Sequence, residues 1–176
     1  MLTLRPLTEA DITERYLSWF RDTEVTRYLD ARNLTREDVL EHLYQADHYL
    51  YAICVDEVHI GNLKIGPINW RHGLSDLVTV IGDRDYWGHG YATQAIRLGV
   101  EIAWVMGIRK LAAGICQENI ASTIAYTRAG FAIEAILKDH YLIDGKPQDR
   151  VCVSAWHPAL HITEPSGRAT AGADHT

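Results

Sequence analysis

The residues with the clearest chemical potential lie in Asp85-Tyr86-Trp87-Gly88-His89-Gly90-Tyr91-Ala92-Thr93. A short apolar run, Leu77 to Ile81, precedes them, and a helical pattern begins at about Tyr91. Strand, glycine turn and helix start in that order can make an anion site. Gly88 and Gly90 accept backbone angles closed to other residues. The first four amides of a helix lack partners and sit at the positive end of its dipole. A phosphate or pyrophosphate suits such a place, and a protonated His89 could help neutralise it. The rival reading is a turn whose glycines serve chain reversal only; the turn alone does not separate the two. Gly88-x-Gly90-x-x-Thr93 imitates a dinucleotide fingerprint, but Lys110 and Leu111 stand near where that motif needs an acid. No Gly-Lys-Ser/Thr follows, which excludes a Walker loop.

A second constellation runs from Asn119 to Phe131. Asn119 is a credible N-cap and Gly130 a credible stop, giving a helix of about three turns. Asn119, Ser122 and Tyr126 share one face of it. Residues for proton transfer are less well marked. Glu118, Asp83 and His140 are candidates for a base, and of these His140 has the intrinsic pKa best suited to neutrality. Cys116 would allow a covalent route only with a nearby base, which its flanks do not supply. Trp19, Phe20 and Tyr28 either fill the core or line a substrate pocket.

These residues must be positioned by a sheet and its helices. Leu2 to Leu7 alternates like an opening strand, and two short helices follow, around Ile12 to Asp22 and from Thr35 onward. Tyr49 to Val55 and Val58 to Ile65 read as antiparallel strands ended by Gly66-Pro67, with Asn69 to Ser75 a loop. Leu77 to Ile81 delivers the chain to the glycine turn. The next helix carries a stripe of mostly small residues, including Ala92, Ala95, Ile96, Gly99 and Ala103, with Gly107 as its stop. Lys110 to Ile115 reads as a buried strand. Phe131 to Tyr141 and Gln148 to Trp156 pair across Asp144-Gly145. Both candidate helix starts therefore follow strands and lie at one rim of the sheet.

The composition bounds the alternatives. The 176 residues suit one domain, 1–156, followed by a flexible tail over 157–176. A net charge of −6 argues against gripping a nucleic-acid backbone. No apolar run reaches the ~18 residues of a membrane span, and the first residues lack a signal peptide's apolar core, so a cytoplasmic protein without membrane partners is expected. Cys54, Cys116 and Cys152 are odd in number and without metal spacing, so no metal is expected.

Together the two constellations resemble the GNAT superfamily of acetyl-coenzyme-A-dependent N-acetyltransferases. Tyr86-Trp87-Gly88-His89-Gly90-Tyr91-Ala92-Thr93-Gln94-Ala95 is similar to that family's pyrophosphate loop. Asn119-x-x-Ser122-x-x-x-Tyr126-x-x-x-Gly130-Phe131 is similar to its second coenzyme motif. Within the family, the branch of ribosomal-protein alanine and nucleotide-linked amino-sugar acetyltransferases looks nearest, on stretches such as Tyr16-Leu17-Ser18-Trp19 and His140-Tyr141-Leu142-x-Asp144-Gly145-Lys146. The resemblance implies a single-domain mixed α/β fold: a mostly antiparallel twisted sheet flanked by helices, with splayed strands forming the acetyl-CoA cleft. It implies that amides from Gly88 to Thr93 hold the pyrophosphate, and that Val80 and Ile81 pair with pantetheine. Asn119 and Ser122 would touch the coenzyme, and Tyr126 would protonate the departing thiolate after direct attack by a neutral amine. Asp85 departs from the family's Arg or Gln at that position and puts tight coenzyme binding in question. The acceptor implied is a small primary amine, such as a nucleotide-linked amino sugar. A protein N-terminus, an antibiotic amine, or no substrate at all in an inert coenzyme-binding module remain open. A homodimer is compatible with the chain.

Overall fold

The computed structural model describes residues 1–159. The expected tail lies, apart from residues 157–159, outside the described residues. Seven strands form one sheet in the order β1-β2-β3-β4-β5-β7-β6. These are β1 (Leu2–Pro6), β2 (Tyr49–Val55), β3 (Val58–Asn69), β4 (Leu74–Ile81), β5 (Lys110–Cys116), β6 (Ala132–Ile143) and β7 (Lys146–Trp156). Every neighbouring pair is antiparallel except β4–β5. The fold is the expected mixed α/β domain with a mostly antiparallel sheet.

The β4–β5 pair decides the architecture. It is parallel and holds only through Leu74, Ser75 and Asp76 against Lys110, Leu111 and Ala112. Beyond Asp76 the two strands diverge into a V, leaving one edge of β4 without a backbone partner from β5.

Helices cover both faces. On one side lie α1 (Glu14–Trp19), α2 (Thr23–Thr26) and α3 (Arg36–Leu43), packed around Ile12, Tyr16, Trp19, Val39 and Ala52. The single helix expected from Ile12 to Asp22 is broken. Thr13 caps α1, and the Asp22 carboxylate accepts the Glu24 and Val25 amides to start α2. On the other side lie α4 (Tyr91–Val105) and α5 (Ile120–Arg128). The small stripe of α4 buries Ala95, Ile96, Gly99 and Ala103. Gly99 permits the close approach, since a Cβ there would lie 2.6 Å from Leu63 Cδ1.

Strand boundaries differ from expectation at β3 and β4, and the β6–β7 hairpin closes more tightly, its strands reaching Ile143 and Lys146. β3 continues through Gly66-Pro67 to Asn69, absorbing the pair in a register shift between Ile65 and Ile68. β4 starts at Leu74, so Leu74 and Ser75, expected in the loop, belong to a strand that continues through Asp76. None of the described helices is long and apolar enough to cross a membrane.

Candidate active site

The glycine turn is built to keep amides free. Trp87 Nε1 donates to the Ile81 carbonyl at 2.8 Å, fastening the turn to the end of β4. Gly88 and Gly90 both have positive φ, 79° and 76°, as the sequence requires of them. Gly90 is the N-cap of α4 and no side chain caps that helix. A Cβ at either glycine would meet nothing within 4 Å, so the turn and the first-turn amides border open space.

That space is a cavity of about 640 Å³. Its wall contains Gly88, Gly90, Tyr91, Ala92 and Thr93 from the start of α4. Asn119, Ser122 and Tyr126 of the α5 segment line the same cavity, with Thr79, Val80 and Ile81 of β4. The two helix starts thus meet at one rim. The Asn119 carboxamide accepts the Ser122 amide at 3.2 Å, so its oxygen is engaged as a cap. Arg27 and Arg128 also line the cavity, opposed by Glu24. The sequence offered no periodic signal for these cations, because they come from a short helix and from the far end of α5. Asp85 is exposed and is not part of the wall. His89 is also exposed and outside the wall; its ring stacks on Tyr91 at a centroid distance of 5.8 Å.

Tyr126 is buried, and its hydroxyl donates to the Leu77 carbonyl at 2.7 Å. Burial pushes its pKa well above the usual phenol value. It is therefore a weaker acid than a free tyrosine. Thr79 stands beside the phenol, but its buried hydroxyl has no well-formed partner in the protein. The Leu77 bond also fixes the parity of β4. Leu77, Thr79 and Ile81 turn their backbone groups toward the V, whereas Val78 and Val80 pair with Lys64 and Asn62 of β3. The edge open to a ligand is accordingly at Thr79 and at the Ile81 amide, the Ile81 carbonyl being taken by Trp87. Val80 contributes wall, not the expected backbone pairing.

A second cavity of about 380 Å³ lies on the opposite face of the V. Phe20 and Tyr28 line it, Phe20 being at the same time part of the buried core around α1. Trp19 does not: it is buried beneath Gly82, where a Cβ would fall 2.2 Å from the indole. Tyr28, Leu29 and Val80 belong to both cavities, so the two share a wall at the V.

His140 lines neither cavity. It is exposed on β6, edge-on to Tyr141 and 3.4 Å from Arg150 Nη1. Asp83 pairs with Arg15 and caps the turn at Arg84–Tyr86, and Glu118 is exposed. Cys116 is buried in β5 and lines neither cavity. Two carboxylates line the second cavity, Asp30 from the loop after α2 and Asp76 at the apex of the V, where strand pairing ends; Asp76 is the one carried by the sheet. Solvent reaches it through the pocket mouth, yet the surrounding protein raises its pKa by desolvation, against the pull of Arg150 and Lys64. Sequence reasoning missed it by placing it next to a loop. An acid alternating with Leu77 and Val78 ahead of the glycine turn was the available signal. Among the described residues no cluster of three or more His, Cys, Asp or Glu is placed to hold a metal ion.

The buried side-chain polar atoms without a partner among the described residues are Asn62 Nδ2, Thr79 Oγ1 and Arg150 Nε. All three residues belong to the cavity walls. Such atoms are rare in native proteins and concentrate where something else binds. Amide cradle, open strand edge and unpaired hydroxyl together fit an extended ligand with a phosphorylated end, as coenzyme A is.

Comparison with known proteins agrees with this geometry. The profile of the acetyltransferase (GNAT) domain matches residues 1–132. Spermidine N(1)-acetyltransferase of Escherichia coli K12 is 24% identical over 116 residues, 64% of this chain and 62% of that protein's length. Among solved structures, spermidine N-acetyltransferase from Vibrio cholerae in complex with CoA and spermine superposes with a TM-score of 0.79 at 19% identity, over 88% of this chain and 95% of that one. A probable GNAT-family acetyltransferase from Chromobacterium violaceum gives 0.72 at 21% identity, over 88% and 82%. With a family profile spanning most of its described length and the family's two motifs meeting at one cavity, this chain belongs to the acetyltransferase (GNAT) family.

Proposed function

We propose that this protein is an acetyl-CoA-dependent N-acetyltransferase acting on a primary amine of a small acceptor. The observation that carries the reading is the pair of cavities sharing a wall at Val80, one with the amide cradle and the other with a carboxylate. Acetyl-CoA, when bound, supplies an activated thioester. Amides from Gly88 to Thr93 hold its pyrophosphate, and the Thr79 and Ile81 edge pairs with its pantetheine arm. An amide of that edge polarises the thioester carbonyl as an oxyanion donor does. Asp76 orients the acceptor's ammonium and takes its proton. A carboxylate whose pKa is raised by desolvation is a better base than a free one. Tyr126 turns its hydroxyl from Leu77 to the departing sulfur. Bringing both reactants to one wall makes the encounter effectively unimolecular.

The Escherichia coli and Vibrio cholerae relatives are named as spermidine acetyltransferases, whereas the acceptors suggested by the sequence resemblance are a nucleotide-linked amino sugar or a protein N-terminal alanine. A thiol-release assay with acetyl-CoA against spermidine, amino-sugar nucleotides, N-terminal alanine peptides and aminoglycosides tests the reading. Release with at least one amine is expected. Coenzyme binding without release from any amine identifies an inert module and overturns it. A homodimer would draw on edge strand β6, whose Ile133, Ile136 and Leu142 are exposed. Sedimentation velocity checks it, a single 20-kDa species being the contrary result.

A further inference from the structure

We infer that the acceptor carries, besides its amine, an anionic group (a carboxylate or a phosphate) held by Arg150 and Lys64. The inference rests on the acetyl-transfer reading and names the substrate class of the same site. Both cations line the second cavity, as do Asp76, Asp30 and His42. Asp76 feels Arg150 and Lys64 together, and with Asp30 the cavity sets two carboxylates against the two cations. Asp30 is exposed on the facing loop between α2 and α3, beside Tyr141.

Neither cation is consumed by the fold. Among the described residues, Lys64 makes no hydrogen bond or ion pair, and its charge acts on Asp76. Arg150 Nη1 comes no nearer than 3.4 Å to His140 Nε2, beyond the range of a good hydrogen bond. Its Nε is buried without a partner. The guanidinium is nevertheless held in place: it lies against the bare backbone of Gly114, where a Cβ would stand 2.1 Å from Nε. A positioned guanidinium with a free donor is the group best matched to a carboxylate or phosphate.

Asn62 adds a further donor. His59 Nε2 contacts both the Gly61 carbonyl at 2.9 Å and Asn62 at 3.0 Å. A carbonyl only accepts, so this nitrogen is the donor, and the Asn62 atom facing it must be the oxygen. Asn62 Nδ2 is thereby directed away from His59. It passes near the Tyr16 phenol and has no well-formed partner. A donor-rich wall with a positioned guanidinium and a nearby ammonium suits an anion. Arg150 and Lys64 disfavour a further ammonium group placed directly beside them.

The test compares matched amines by kcat/KM in the thiol-release assay, at fixed ionic strength. Glucosamine 6-phosphate against glucosamine reads the phosphate source; 6-aminohexanoate against hexylamine reads the carboxylate source; spermidine is the polycation. In at least one pair the anionic member should exceed its neutral partner tenfold or more, and should exceed spermidine. Arg150→Gln and Lys64→Met should each remove most of that preference. Gly114→Ala, which displaces the guanidinium while keeping its charge, should act like Arg150→Gln. KM for acetyl-CoA should change less than twofold in all three. Equal use of charged and neutral partners, or preference for spermidine, overturns the anionic subsite while leaving acetyl transfer intact. Calorimetry of the same amines with the coenzyme-loaded protein gives a second readout. If no amine is turned over, acetyl transfer fails, while tighter binding of the anionic members, lost in Lys64→Met, still upholds the subsite. Equal binding of charged and neutral members sinks it.

Discussion

At the scale of single residues, the proposed chemistry rests on Tyr126 and Asp76, and the two differ in what burial does to them. Tyr126 uses its hydroxyl to satisfy a carbonyl of β4. Tyr126→Phe should therefore cost about 1–3 kcal/mol of stability by leaving that carbonyl unpaired, measurable by urea denaturation. It should also lower kcat at least tenfold with KM for acetyl-CoA nearly unchanged. Loss of stability with full turnover would assign the phenol to positioning alone. For Asp76 the raised pKa has a defined sign. The folded state holds the proton more tightly than the unfolded chain, so the group's stabilising contribution is full below the unfolded pKa and is lost as pH rises through the folded one. Asp76→Asn should then raise Tm at pH 7, an advantage that shrinks toward pH 3, while turnover falls. A lowered Tm at pH 7 would mean that attraction to Arg150 and Lys64 outweighs desolvation. Tyr126 was legible because it repeats on a helix face with Asn119 and Ser122. Asp76 was not, because its position at a divergence of strands depends on residues 110–112.

At the scale of elements, helix α4 and its glycine turn were readable because the information is local. Period, a left-handed N-cap and a glycine stop all lie within one short stretch. Two substitutions separate the turn's geometry from the helix's packing. Gly90→Ala puts a Cβ on a residue at φ 76° without a clash, so a strain of roughly 1–2 kcal/mol is expected, with a rise in KM for acetyl-CoA. Gly99→Ala drives a Cβ into Leu63 and should destabilise by about 1–3 kcal/mol, with KM unchanged. Thermal melts and initial rates on the two variants check the contrast. Where elements meet through tertiary contacts, local reading failed. The helix expected over Ile12 to Asp22 breaks because Asp22 can cap the next turn, and β3 outlasts Gly66-Pro67 because β4 continues to pair with it.

At the scale of the whole molecule, the divergence of β4 and β5 joins the parts. It exposes the Thr79 and Ile81 edge, opens a cavity on each face, and sets Asp76 at the apex. A ligand that spans α4, β4 and α5 should stabilise the fold as a unit. Acetyl-CoA at 100 times its Kd is expected to add about 2.7 kcal/mol, read as a rise in Tm by differential scanning calorimetry. Gly88→Val should reduce that rise, and an unchanged rise would place the coenzyme elsewhere. What the sequence by itself determined were the elements and the amide cradle, since caps, glycines and periodicity act over a few neighbouring residues. Only the tertiary structure decided which side chains meet in the acceptor cavity. Asp76, Lys64, Gly114 and Arg150 come from four strands, and their juxtaposition follows from register across the sheet, which no short stretch of chain encodes.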